Sequence, residues 1–447
     1  MPMRRERCRG PTLTLPHPSQ EHLDEGECLP PAVLRKQQEE KLFSVLEYAY
    51  RWVPFYRGLW QRLGLHPRKI KDLADFSSLV PRVRKDDLIQ AIREEGSGRV
   101  GLEALRGARP SNIVMTSGSR GFNTFAFLSP GALLGDDLLT AARELWAMKV
   151  RPGLTVLTLG PAWHVLALRD SLALGALGAT VVSPWGSYAP RFYPAFLDAV
   201  MTFQPQHLLV TAPVLRGMLA ECHRRGLPPV EAFRSVFWIG CAGEAITPLM
   251  RQWLKDEMAL EDLFERGGSS DGMFGGPECF VHWGHHISAD AHYVEVIDPL
   301  TGMPCPPGRR GLVVVTNLSL GRSLYIRFET GDVGELRWAP CPCGRTSPLL
   351  ELYGRWEDCA LVDGRIITPY DVRCILDKWE ELRWARVSVR WHKGCLYVDI
   401  EGVGPSREVL EEASRSLREE LQGEVCLSLR SEGVEGWKGQ RMLRPSS

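Results

Sequence analysis

The chain has 447 residues, of which 44% are hydrophobic, and this is enough to build one large domain and a smaller one. Lys and Arg together number 54 and so do Asp and Glu, so the net charge does not favour a nucleic-acid or membrane-surface partner. The 12 cysteines are scattered along the chain, which excludes the dense disulfide framework of a small secreted protein and favours a reducing cytoplasm.

Residues 1–30 are rich in proline and charge and show no periodicity, which predicts a flexible N-terminal tail. The basic start of this tail lacks the apolar segment that an export signal needs. The most apolar stretch of the chain, Gly153 to Trp185, is interrupted by His164, Arg169 and Asp170, which argues against a membrane span. We therefore expect a soluble, cytoplasmic protein that has no membrane partner.

Two patterns follow the tail. From Pro31 onwards, apolar residues at helical spacing predict an amphipathic helix that ends near Pro54. The apolar positions of this helix are Leu42, Val45, Leu46 and Ala49. Between Ile113 and Ala245, short apolar runs alternate with helical segments, which is typical of a parallel sheet covered by helices. The predicted strands are NIVMT, LTVLTL, ATVVSPW, HLLVT and SVFWIG, and the predicted helices are Ala132 to Met148 and Val214 to Arg225.

After Glu278 the pattern changes to hairpin-like strands joined by Gly and Pro turns, which predicts an antiparallel β subdomain. The predicted strands in this part are HYVEVIDP, GLVVVTNLS and SLYIRFE. A second boundary falls near Gly354 to Asp358, and a hairpin, a helix over Arg407 to Leu421 and the strand EVCLSLR follow it. These C-terminal elements predict a small α+β domain.

Two clusters of metal-ligating residues stand out. Cys341 and Cys343 lie in the turn PCPCG, and Cys279 is followed by His286 after six residues. A Cys-x-Cys pair alone is equally compatible with a turn of inert thiols. The second cluster favours zinc, because three cysteines and one histidine complete a closed tetrahedral site. The alternative histidine ligands are His282 and His285.

Short glycine-rich segments carry the remaining candidate residues. The loop TSGSRGFNT, Thr116 to Thr124, directly follows the strand NIVM, and its amides and hydroxyls are suited to surround a polyphosphate. Glu244 precedes a helix, Asp271 lies in a glycine-rich turn, and Asp332 follows a strand. Each of these features alone is common in ordinary turns and helix caps.

Taken together and in this order, the segments resemble those of the adenylate-forming enzymes, most closely the phenylacetate–coenzyme A ligase branch. The likeness runs from about Leu29 to Met442. It implies an α/β fold with a large N-terminal adenylate-forming domain, in which mixed sheets are covered by helices and a small antiparallel β subdomain is attached. A small C-terminal α+β lid domain completes this fold. The implied boundaries are residues 31–353 for the AMP-binding domain with its zinc knot and residues 354–447 for the lid. The matching segments are RWVPFYRGLWQRLGLHP, LVPRVRKDDL, TSGSRGFNT, AGEAITPLMR, GSSDG, RFETGD, CPCGR, YGRWED and EGWKGQR.

The resemblance also implies the chemistry. A carboxylate attacks the α-phosphorus of MgATP, pyrophosphate leaves, and the thiol of coenzyme A then takes the acyl group from the acyl-adenylate. The implied partners are a small-molecule carboxylic acid, ATP and coenzyme A, and the implied metals are Mg²⁺ and a structural Zn²⁺. A homodimer is possible, and no nucleic-acid partner is expected. Two alternatives remain: an adenylating enzyme that passes its acyl group to an amine or a carrier-protein thiol, and a non-catalytic nucleotide-binding relative.

Site residues carry over position by position. The resemblance implies that Lys438 acts in adenylation, that Asp271 helps to hold Mg²⁺, that Asp332 binds the ribose hydroxyls, and that Arg355 contacts ribose and phosphate. The zinc ligands of this branch map onto Cys279, His286, Cys341 and Cys343. The other positions implied to bind the nucleotide are Thr116, Ser117, Gly118, Ser119, Arg120, Gly121, Thr124, Gly243, Glu244 and Ser270.

Some positions depart from the family pattern. Phe122 stands where a lysine is usual in the phosphate loop, and Gly267 replaces the tyrosine that usually packs on adenine. Asp363 occupies the position of an arginine, and Trp437 is inserted before Lys438. Aromatic residues near the segments that border the acid pocket in this family hint at an aromatic or bulky acid, although core packing explains them equally well. These aromatic residues are Trp163, Trp185, Trp238 and Phe274.

Overall fold

In the computed structural model, the described residues are 21–95, 110–115, 125–158, 164–184, 189–269, 274–276, 278–401 and 404–430. The N-terminal part is a group of helices. The first helix ends at Trp52, before Pro54, because proline has no amide hydrogen to continue the helical hydrogen bonds. All four apolar positions predicted for this helix are buried, so the prediction is confirmed. The helices are α1 (Pro31–Trp52), α2 (Pro54–Arg62), α3 (Leu73–Leu79) and α4 (Lys85–Glu95).

A parallel sheet forms the centre of the large domain, as the alternating pattern predicts. It has five strands in the order β4-β3-β5-β6-β7, and buried apolar residues of the flanking helices cover it. The elements of this region are β1 (Asn112–Met115), β2 (Phe125–Leu128), α5 (Pro130–Leu134), α6 (Asp136–Ala147), β3 (Thr155–Thr158), α7 (Val165–Ala176), β4 (Thr180–Val182), α8 (Tyr193–Phe203), β5 (His207–Thr211), α9 (Ala212–Arg225), α10 (Pro229–Ala232), β6 (Trp238–Ala242), α11 (Pro248–Met258) and β7 (Asp262–Arg266).

Two details of this sheet differ from the prediction. The segment NIVM forms β1, but β1 pairs antiparallel with β2 instead of joining the parallel sheet. The nine residues between these strands, 116–124, are too few for a parallel crossover, which needs about a dozen or more. The fifth strand, β7, lies in the charged segment DLFER, and it was missed because only two of its five residues are fully buried.

The predicted antiparallel subdomain is present after β7. A five-stranded sheet runs in the order β10-β14-β13-β12-β11. The predicted strand SLYIRFE was placed too early, because β13 begins only at Phe328. The strands are β8 (Gly268–Ser269), β9 (Phe274–Gly275), β10 (His285–His286), β11 (His292–Ile297), β12 (Gly311–Asn317), β13 (Phe328–Arg337) and β14 (Leu349–Arg355).

The C-terminal part forms its own hydrophobic cluster, whose buried residues all lie between Ala360 and Val425. Its last strand, β19, pairs parallel with β18, and α13 spans the helix predicted over residues 407–421. The buried Thr247 caps α11 and donates a hydrogen bond to the equally buried Asp377, which joins the large domain to this small domain. The elements are β15 (Ala360–Val362), β16 (Arg365–Ile367), α12 (Pro369–Leu376), β17 (Arg386–His392), β18 (Cys395–Glu401), α13 (Arg407–Leu421) and β19 (Val425–Arg430).

The segment 21–30 differs from the flexible tail that the sequence predicts. It forms a short 3-10 helix, Glu25–Cys28, and Leu23 is completely buried. The Asp24 carboxylate pairs with Arg143 of α6 at 2.7 Å. The composition of this segment misled the prediction, because three of its acidic residues, Glu21, Asp24 and Glu27, are paired with cations that lie far away in the sequence. None of the helices in the described part of the chain combines the length and the apolar composition that a membrane span requires.

Candidate functional site

The two cysteine clusters come together in one buried group. Cys279 precedes β10, His286 lies in β10, and the turn with Cys341 and Cys343 precedes β14, which pairs with β10. Their ligand atoms all lie within 4.8 Å of one another. Cys279 Sγ is 3.6 Å from Cys341 Sγ, and Cys343 Sγ is 3.2 Å from His286 Nε2.

This geometry fits a tetrahedral zinc ion. A Zn–S bond of about 2.3 Å places two sulfur ligands about 3.8 Å apart, close to the separation of Cys279 and Cys341. Hydrogen bonding between Cys279 and Cys343 raises the pKa of the Cys279 thiol. The same hydrogen bond, together with one from His286, lowers the pKa of Cys343. The four residues are those that the sequence identifies, whereas the alternative ligands His282 and His285 point to carboxylates.

The N-terminal segment 21–30 packs against the turn that carries Cys343. His22 Nε2 is 2.7 Å from the carbonyl oxygen of Cys343. Arg345 Nε donates to Glu27 Oε2 at 2.6 Å, and the side chains of this ion pair are 2% and 4% exposed. Because a buried charge needs a partner, this pair fixes the segment over the cysteine group. Sequence reasoning missed this contact, since Glu27 and Arg345 are 318 residues apart.

Two of the candidate nucleotide-binding residues are paired in register. Asp332 on β13 lies opposite Arg355 on β14, and Arg355 Nε is 3.2 Å from Asp332 Oδ1. Arg355 Nη1 also donates to the carbonyl oxygen of Thr330 at 2.8 Å. The Arg355 side chain is 35% exposed, so these contacts hold it in place while part of it stays accessible. The pair can therefore present both a hydrogen-bond acceptor and a cation to a ligand.

A second candidate segment follows β6. Gly243 has a φ of +97°, a conformation that favours glycine, and it turns the chain so that Glu244 faces two arginines. Glu244 lies 3.6 Å from Arg216 of α9 and 3.5 Å from Arg373 of α12. It therefore contacts both the large and the small domain. The involvement of Arg373 was missed, because nothing in the local sequence indicates which face of α12 meets the large domain.

A cavity of about 410 Å³ lies beside these segments, in the size range of small-molecule sites. Residues of α11, β7, β10, β14 and α12 line it, including Glu265, His285, Leu352 and Tyr370, and so does Ile246 from the loop before α11. Burial lowers the pKa of His285, but the hydrogen bond and charge of Glu265 outweigh burial and raise it overall.

Several candidate residues lie outside the described residues: the phosphate loop Thr116 to Thr124, Ser270, Asp271 and Lys438. Trp163 and Trp185 also lie outside them. Of the other aromatic residues proposed to border an acid pocket, the half-buried Trp238 packs against the hydrophobic cluster of the parallel sheet, and the buried Phe274 lies in the core of the antiparallel sheet. The described geometry therefore favours core packing for these two residues.

Comparisons with known proteins point to one family. The model of the AMP-binding enzyme family matches residues 77–325. A phenylacetate–coenzyme A ligase from Thermus thermophilus is 30% identical over 362 residues, which cover 79% of this chain and 77% of that protein. The Escherichia coli K12 phenylacetate–coenzyme A ligase is 25% identical and covers 89% and 87% of the two chains. The crystal structure of 2-hydroxyisobutyryl-CoA ligase in the postadenylation state with 2-HIB-AMP has a TM-score of 0.79 at 22% identity, covering 92% of this chain and 89% of that chain, so the fold is shared.

Proposed function

The chain belongs to the AMP-binding enzymes, in their phenylacetate–coenzyme A ligase family, and on that premise we propose that Asp332 and Arg355 mark its nucleotide site. The enzyme activates a carboxylic acid with ATP and transfers the acyl group to coenzyme A. In the first step, a carboxylate oxygen bonds to the α-phosphorus and the bond to pyrophosphate breaks. In the second step, the thiol sulfur of coenzyme A bonds to the acyl carbon and AMP leaves.

The observation that most supports this site is the pairing of Asp332 with Arg355. In the first step negative charge builds on the phosphoryl oxygens, which a fixed cation stabilises. Arg355 is held by Asp332 and by the carbonyl oxygen of Thr330, so it needs little rearrangement to meet that charge. A carboxylate at Asp332 is suited to accept hydrogen bonds from sugar hydroxyls. We assign the ribose contact to Asp332 and the phosphate contact to Arg355.

The metals have different roles in this proposal. A structural zinc would be held by Cys279, His286, Cys341 and Cys343, and four protein ligands would leave it no open position for substrate. Asp271 is a hard oxygen donor of the kind that Mg²⁺ prefers, and it is proposed to hold the ion that accompanies ATP. Bound Mg²⁺ would supply positive charge to the phosphate oxygens. Lys438 is proposed to reach the reacting carboxylate and α-phosphate during adenylation.

The acid is proposed to be aryl or otherwise bulky. The relatives from Thermus thermophilus and Escherichia coli are phenylacetate–coenzyme A ligases, and this supports an arylacetic acid as the first substrate to test. The cytoplasmic location and a homodimer stay predictions.

The test is release of pyrophosphate from ATP with a panel of aryl and aliphatic acids, with and without coenzyme A. We expect acid-dependent pyrophosphate release, and an acyl-CoA product only when coenzyme A is present. Acid-dependent pyrophosphate release without any thioester would instead indicate another acceptor, such as an amine or a carrier-protein thiol. Absence of pyrophosphate with every acid, from folded protein, would contradict the proposal.

A further inference from the structure

Gly267 stands where the family pattern has a tyrosine, and the structure has an imidazole in the space for that side chain. A Cβ atom added to Gly267 would lie 2.3 Å from His285 Nε2 and 2.5 Å from His285 Cδ2. Real Cβ atoms do not approach other heavy atoms this closely. A side chain at position 267 and the present position of the His285 ring therefore exclude each other.

His285 is held in this place from two sides. Its backbone pairs with Leu350 of β14, which fixes the strand β10. Its Nε2 lies 3.4 Å from Glu265 Oε1, and the other oxygen of Glu265 accepts a hydrogen bond from the amide of Ile246 at 3.0 Å. Ile246 closely follows Gly243 and Glu244, so one carboxylate connects His285 with the candidate nucleotide loop.

His285 also borders the cavity of about 410 Å³. Ile246 and Leu352 give this cavity apolar surface, and polar or charged side chains line most of the rest. Among these are Arg251, Lys255, Glu265, Glu278 and Tyr370. A planar heterocycle needs this combination, because its faces are apolar and its edges form hydrogen bonds. The cavity is large enough for such a ring system beside the imidazole.

We propose that His285, held by Glu265, takes the place of the family tyrosine and forms the aromatic contact to the adenine base of ATP. The glycine at position 267 is the complementary substitution, since only glycine leaves room for the imidazole. This inference deepens the proposed function and rests on it. It makes His285 a nucleotide-binding residue that comes from the segment between two zinc ligands, Cys279 and His286.

The test compares ATP binding, by calorimetry on the full chain, in His285→Ala, Gly267→Tyr and the double variant. Loss of one aromatic contact should weaken ATP binding by roughly three- to tenfold in His285→Ala. Gly267→Tyr alone should bind ATP poorly, because the tyrosine meets the imidazole. The double variant restores the family arrangement and should bind ATP more tightly than either single variant.

Two controls separate this role from a structural one. His207→Ala removes a fully buried imidazole of β5 whose nitrogens contact the backbone of Met148 and Leu208, so it should lower stability and leave ATP affinity unchanged. Zinc content should be unchanged in His285→Ala, since His286 supplies the ligand. In His285→Ala, the KM for ATP should rise and the KM for the acid should stay unchanged.

The outcomes distinguish this inference from the proposed function. Wild-type protein that binds ATP but releases no pyrophosphate with any acid would contradict the function, and the affinities of the variants would still decide the role of His285. Unchanged ATP affinity in His285→Ala, or a double variant no better than Gly267→Tyr, would overturn the inference. ATP binding too weak to measure in the wild-type protein would overturn it as well.

Discussion

Asp332 and Arg355 lie directly opposite each other on neighbouring antiparallel strands, with Arg355 Nε 3.2 Å from Asp332 Oδ1. Arg355 is the last residue of β14, and the chain enters the small domain immediately after it. The carboxylate and the guanidinium are thus fixed by sheet register at the boundary between the domains. A ligand bound to this pair would lie where the small domain can reach it.

The first prediction concerns Asp332. Asp332→Ala should weaken ATP binding by about ten- to hundredfold, because loss of a charged hydrogen-bond acceptor costs roughly 1.5–3 kcal/mol. Calorimetric titration with ATP measures this, and Asp332→Asn, which keeps one acceptor, should lie between the two. If Asp332→Ala binds ATP as the wild type does, Asp332 serves only to hold Arg355 on the neighbouring strand.

The second prediction concerns the metal. Purified protein should contain one zinc per chain, and Cys341→Ser should lose it, because the ion needs all four ligands of the closed site. Metal analysis together with thermal unfolding measures both effects. Cys305→Ser, which changes a half-buried cysteine outside the group, is the matched control and should retain the metal. Equal zinc content in the two variants would refute the assignment.

The third prediction concerns the segment 21–30. Glu27→Ala leaves the buried Arg345 without its carboxylate, which costs about 3–5 kcal/mol and should release the segment from the cysteine turn. Zinc should then pass to a chelator faster, and proteases should cut the N-terminal segment more readily. Glu25→Ala, in the same short helix but exposed, should do neither. Identical rates in the two variants would show that the ion pair does not protect the metal.

The fourth prediction concerns Lys438. Lys438→Ala should abolish pyrophosphate release but spare thioester formation from pre-made acyl-adenylate, because the lysine charge is needed only while phosphoryl charge develops. Assays of the two half-reactions measure this. Equal loss of both half-reactions in a folded variant would favour a structural role for the C-terminal segment.

The fifth prediction concerns Glu357, in the short 3-10 helix Trp356–Asp358 between β14 and β15. Glu357→Pro should slow thioester formation and leave adenylation largely intact, because proline fixes the backbone where rotation of the small domain would occur. Glu357→Ala removes the same carboxylate without fixing the backbone and is the control. If the two variants behave alike, loss of the carboxylate, and not loss of rotation, explains the effect.

The sequence by itself determined the features that depend on local pattern. Apolar residues at helical spacing identified α1, because one face of a helix must be buried wherever the helix packs. Ligand chemistry identified Cys279, His286, Cys341 and Cys343, because three thiols and one imidazole complete a closed tetrahedral set. The order of the motifs identified the family, which the comparisons confirm.

Only the tertiary structure decided which distant residues meet. Glu27 pairs with Arg345, Glu244 reaches Arg373 of the small domain, and His285 fills the space beside Gly267. A charged segment such as β7 carries no apolar pattern, so its place in the parallel sheet depends on neighbouring strands. The physical reason is that periodicity reports only whether a residue is buried. The partner against which a residue is buried depends on sheet register and domain packing, and these arise from contacts between residues hundreds of positions apart.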